Sequence, residues 1–67
     1  MNWLVIINTT NGEWYQAVVV STDEKTAIET AYDFAHNEGF PVEEITAELF
    51  EHGVHGDLTD YEILNWF

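Results

Sequence analysis

Alternation of apolar and polar positions dominates the first third of the chain. The runs WLVII and EWYQAVVVS are rich in β-branched and aromatic residues and flank Asn11-Gly12. An Asn-Gly pair between two such runs predicts a β-hairpin closed by a two-residue type I′ turn. Closure at that point pairs Thr9 with Trp14, Ile7 with Gln16, Val5 with Val18 and Trp3 with Val20 on one face. Leu4, Ile6, Ala17 and Val19 fall on the other face, so both are apolar. One helix covers only one of them, and the second must meet another part of the chain or a partner.

The period then changes. In STDEKTAIETAYDFAHNEG, Ala27, Ile28, Ala31, Phe34 and Ala35 recur at helical spacing and form a narrow core stripe. Ser21 and Glu24 have the spacing of a capping box, with Asp23 and Glu24 favourably placed in the positive first turn. Gly39 is the natural stop, and Pro41 follows it. The small alanines allow this helix to lie close to the sheet.

The next stretch, PVEEITAELFEHG, fits two elements. Pro41 at the first position, acids in the first turn and Val42, Ile45 and Leu49 on one side suit a second helix ended by Gly53. Ile45, Ala47 and Leu49 alternating with Thr46, Glu48 and Phe50 suit a third strand. The strand is preferred, because a two-stranded hairpin alone is marginal. The last stretch, TDYEILNWF, has a second capping-box pattern at Thr59 and Glu62. It predicts a short C-terminal helix burying Ile63, Trp66 and Phe67. The fold class expected is therefore α+β in a single small domain, residues 1–67.

Composition adds limits. A chain of 67 residues buries only about 60% of the surface it exposes when unfolded. It contains no cysteine, so disulfides cannot reinforce it. Hydrophobic residues at 46% and aromatics at 15% are too many for a disordered acidic tail. The longest aliphatic runs, Leu4–Ile7 and Ala17–Val20, fall far short of the ~20 residues of a membrane helix. The opening residues carry no basic group, so no secretory signal is expected. A soluble, cytoplasmic protein follows as the expectation.

Charge changes the picture most. Thirteen acids face a single cation, Lys25, and the net charge is −12. A magnitude of about 2–8 already keeps a small domain soluble. Such a chain repels nucleic acid and anionic membranes and attracts basic surfaces. All the acids except Glu13 lie between Asp23 and Glu62. Glu29 and Asp33 stand one helical turn apart on the outward side, about 6 Å along the axis, against one phosphate per ~3.4 Å along a DNA strand. In size, charge and shortage of cations over residues 23–62, the chain resembles small acidic DNA-mimic proteins, the phage and plasmid inhibitors of restriction or CRISPR systems. That likeness transfers no residue roles. It implies occupation of the basic nucleic-acid groove of a host protein, in the cytoplasm of the host cell if the protein is phage-encoded. The expected contact residues are Asp23, Glu24, Glu29, Asp33, Glu38, Glu43, Glu44, Glu48 and Glu51.

Other chemistry is weaker. Acid–base catalysis needs a walled site with groups that stabilise developing charge; one lysine and no arginine supply little of that, and no enzyme or cofactor is expected. The stretch EHGVHGD offers His52, His55 and Asp57, with Glu51 or Asp60, as zinc-type ligands. Its spacing is far less specific than a paired Cys motif, and a glycine-hinged connector is the favoured reading. The alternative function is a protein–protein or homodimer interface on the apolar hairpin face, through Trp3, Val5, Trp14, Val18 and Val20. Charge would then serve only solubility.

Overall fold

Hairpin closure decides which side chains of the second strand reach the core, and it occurs one residue away from the predicted register. The computed structural model describes residues 1–65. Its elements are strand β1 (Asn2–Thr9), strand β2 (Trp14–Val20), helix α1 (Glu24–Glu38), strand β3 (Val42–Leu49), a 3-10 turn (Leu58–Asp60) and strand β4 (Glu62–Asn65). They form a mixed sheet of order β3-β1-β2-β4 with α1 on one face, an α+β arrangement. β1 runs antiparallel to β2 and β3, and β4 lies parallel to β2. No helix among these residues is long and apolar enough to cross a membrane.

The hairpin loop has three residues, Thr10, Asn11 and Gly12, in place of the predicted two. Only Gly12 takes a positive φ, at 86°, whereas a type I′ turn needs Asn11 there as well. Asn11 instead turns its side-chain carbonyl back to accept the Glu13 N–H at 3.3 Å. The buried Thr9 reinforces this closure. Its N–H donates to the Glu13 carbonyl at 3.0 Å, and its hydroxyl accepts the Glu13 N–H at 3.1 Å. Trp3 therefore pairs with Val19, Val5 with Ala17 and Ile7 with Tyr15. A shift of one residue exchanges the two faces of β2. The predicted register would have set Gln16 beside Ile7 beneath the helix, where an amide lacks water. In the observed register Gln16 is exposed, while Ala17 and Val19 are buried.

α1 follows expectation along most of its length. Ala27, Ala31 and Ala35 are fully buried against Trp3, Val5, Ile7, Ala17, Val19 and Ile45, with Ile28 and Phe34 packed at the margin. The cap differs from the predicted Ser21–Glu24 box. Asp23 is the N-cap, and its carboxylate accepts the Thr26 N–H at 2.7 Å. Ser21 is buried one step earlier, its hydroxyl bonded to both Asp23 N–H and C=O. At the other end Gly39 adopts φ 76°, and its N–H reaches the His36 carbonyl at 3.1 Å.

The stretch from Val42 is the third strand. Ile45, Ala47 and Leu49 pair with Ile7, Val5 and Trp3 on the helix side. A β-bulge explains why the same residues also carry helical spacing. Asn8 pairs with Glu44 but Thr9 with Val42, so Glu43 is the extra residue. Val42 and Ile45 both pack against the core although they are three apart.

The C-terminal prediction needs correction. The helical turn begins earlier and is a single 3-10 turn, capped by a reciprocal box of Asp57 and Asp60 rather than Thr59 and Glu62. The residues that follow form β4, pairing Val18 with Ile63 and Val19 with Leu64. Leu64 packs on the core, whereas Ile63, on the opposite face, stays 43% exposed. Trp66 and Phe67 lie outside the described residues.

The alanine stripe sets the helix-to-sheet distance and gives a direct test. Ala31→Leu should cost about 1–3 kcal/mol through overpacking, whereas Tyr32→Leu, on the exposed side, should stay within about 0.5 kcal/mol. Urea denaturation of the two variants checks this, and equal midpoints would contradict the packing described.

Candidate acidic interface

The five acids expected on or beside the helix divide by role. Glu29 and Asp33 lie opposite the buried alanine stripe and are exposed, as are Glu24 and Glu38 at the two ends. Lys25, one turn before Glu29, makes no ion pair with a carboxylate among the described residues. Asp23 is already engaged as the helix cap. The Thr26 backbone N–H, joined by the Thr26 hydroxyl, holds its carboxyl below the usual aspartate value.

The acids of β3 point elsewhere. The pairing of Glu44 with Asn8 and Glu48 with Leu4 places both on the sheet face away from α1. Glu43 is the bulged residue beside them. Glu43 and Glu44, with Glu13 and Trp14 of the hairpin tip and with Asn8, Thr9 and Gly12, line a groove of about 490 Å³. Trp14 is 60% exposed there. Glu13 also accepts the Tyr15 hydroxyl at 2.9 Å, which raises the phenol above its ordinary value. The expected acids thus occupy two sides of the molecule, the outer ridge of α1 and the β3 side of the open face. Glu13 is the member that sequence reasoning missed. Its approach to Glu43 and Glu44 depends on the bond from Thr10 N–H to the Pro41 carbonyl, 2.8 Å, and on the bulge. Neither has a local signal.

The EHGVHGD stretch does more than connect. β3 and β4 are opposite edges of the sheet, so residues 50–61 must cross two strands to join them. α1 occupies one face, and the crossing takes the other. His55 sits there, with Nε2 3.3 Å from Glu48 Oε1, and its Nδ1 accepts the Glu51 N–H at 2.9 Å. A neutral ring protonated on Nε2 satisfies both contacts. Phe50 packs edge-on against His52 and Tyr61, and the Tyr61 hydroxyl donates to the His55 carbonyl. Leu4 and Val18, on this face, are buried although the helix lies on the other side. The loop crosses this same face. Positive φ at Gly53 and Gly56, 86° and 93°, lets it turn back on itself.

Two groupings that the sequence offered as weaker alternatives are therefore dispersed. His52, His55 and Asp57 do not converge: both His55 nitrogens are occupied, and Asp57 caps the 3-10 turn. No group of three histidine or carboxylate side chains suited to a metal occurs among the described residues. The alternative apolar docking face also divides. Trp3 and Val5 lie buried beneath α1, whereas Trp14, Val18 and Val20 face the other way and Val18 is fully buried. The one-residue shift of the hairpin is the cause. No family model matches the chain, and neither a curated protein nor a solved structure does.

The Asp23 cap makes stability depend on acid. Its folded value lies below that of an ordinary aspartate, 3.8, so the cap contributes fully above that pH. The contribution is lost as pH falls through the lower folded value. Asp23→Asn should therefore flatten part of the decline in melting temperature below about pH 4. An unchanged acid limb in the variant would mean that Asp23 does not act this way.

Proposed function

We propose that this protein is a non-enzymatic acidic decoy that binds the basic, nucleic-acid-binding surface of another protein. The observation that carries this reading is the charge: thirteen carboxylates against one lysine. Of the nine acids expected to make contact, all are exposed. Asp23 serves the helix cap and Glu48 shares a contact with His55. The others have no cationic partner among the described residues. A surface of this kind recruits Lys- and Arg-rich grooves through long-range attraction and repels nucleic acid itself. The groove at the hairpin tip adds an exposed indole in a lining that also holds Glu43 and Glu44, a combination that suits guanidinium and ammonium groups. The place of action under this reading is the cytoplasm.

The alternative, docking through an apolar hairpin face, keeps little to work with. Trp3, Val5 and Val18 are buried within the chain itself.

The test is retention of host proteins on the immobilised chain. Under the decoy reading the retained protein binds nucleic acid and is displaced both by duplex DNA and by raised salt. A combined Glu29→Lys, Asp33→Lys, Glu43→Lys and Glu44→Lys variant should lose at least about tenfold in affinity. Affinity that is unchanged between low and high salt would refute the electrostatic mechanism.

A further inference from the structure

The outer edge of β3 has a polarity that follows from its pairing. The Phe50 N–H donates to the Asn2 carbonyl at 2.9 Å, which makes Asn2 and Phe50 a hydrogen-bonded pair. Alternation along an antiparallel ladder then gives the bonded pairs Leu4–Glu48, Ile6–Thr46 and Asn8–Glu44. The backbone groups of Ile45, Ala47 and Leu49 accordingly point away from β1, toward the free edge. Nothing among the described residues pairs with that edge, since β3 ends the sheet. Side chains on its two faces differ. Glu44, Thr46 and Glu48 lie on the face away from α1, where His55 approaches Glu48, whereas Ile45, Ala47 and Leu49 lie on the helix face, Leu49 being 49% exposed.

A long unpaired edge is a template for another strand. A second copy of this chain is a poor occupant. Two β3 strands related by a two-fold axis at Thr46, the centre of the regular stretch beyond the bulge, set Glu44 of each directly across from Glu48 of the other. Like charges in that position destabilise a strand pair. The same two carboxylates favour a strand carrying Lys or Arg at positions four apart.

We propose that β3 receives an extended basic segment of the partner as an added antiparallel strand. Cations at i and i+4 of that segment meet Glu48 and Glu44, a small polar residue meets Thr46, and apolar residues between them lie beside Ile45, Ala47 and Leu49. Affinity comes from the backbone ladder and register from the carboxylates. This inference rests on the reading that the partner is basic, and it adds where and in what conformation the partner binds.

The probe is a capped peptide, Val-Lys-Val-Thr-Val-Lys-Val, followed by amide hydrogen exchange on the intact protein. Its controls are the same peptide N-methylated at the valines, which keeps charge but cannot form the ladder, and tetralysine. The expected result is new protection at Ile45, Ala47 and Leu49, with weakening of about tenfold or more on N-methylation. Equal binding of all three probes without protection at those amides overturns the added strand and leaves electrostatic attraction standing. Failure of every probe to bind, even at low salt, overturns both readings.

Discussion

The Thr9–Glu13 closure governs this fold. Two backbone-to-hydroxyl and backbone-to-carbonyl bonds from one buried threonine set the hairpin at a three-residue loop. That choice sends Ala17 and Val19 toward α1 and leaves Gln16 in solvent. Every later contact inherits it. Tyr15 can stack on Phe40 at 4.1 Å because it, not Gln16, stands opposite Ile7. β4 in turn pairs along β2, so the position of Leu64 beneath the helix depends on the same closure.

A small sheet with two apolar faces presents a difficulty for a chain of this length. One face is covered by a helix whose buried residues are three alanines, with Ile28 and Phe34 packed at the margin. The other is crossed by a loop with little regular structure, held by His55 and Tyr61 and turned at two glycines. Using the chain itself on both sides leaves the carboxylates outside, where water and salt screen their mutual repulsion. A heavily charged surface and a marginal core are compatible on those terms.

The α+β class, the extent of α1, its alanine stripe and its glycine stop could all be read from local periodicity. The third strand was legible only through the weakness of an isolated hairpin, because the Glu43 bulge gives Val42 and Ile45 a helix-like spacing. The hairpin register was misread because Asn11-Gly12 satisfies a shorter turn locally, and the competing bonds come from Thr9. The C-terminal segment was misread for a different reason. Its Thr59–Glu62 pattern resembles a cap, but pairing to β2 overrides such a local signal. Most of the individual acids were visible as candidates. Their separation onto two sides, and the inclusion of Glu13, depend on strand pairing between residues far apart in the chain.

The alanine stripe has a consequence for how the charge behaves. Because the helix sits close against the sheet, the Cα atoms extend only 16 Å in the thinnest direction. The Debye length in physiological salt is about 8 Å. Opposite sides of the molecule are therefore separated by roughly two such lengths, and the low-dielectric interior between them contains no mobile ions. Being solvent-exposed, the carboxylates on α1 and those on β3 are nevertheless largely screened from one another at that distance, and at physiological salt they act as two patches rather than one. An approaching cation feels the nearer patch at physiological salt, and the two sum only when the salt is dilute.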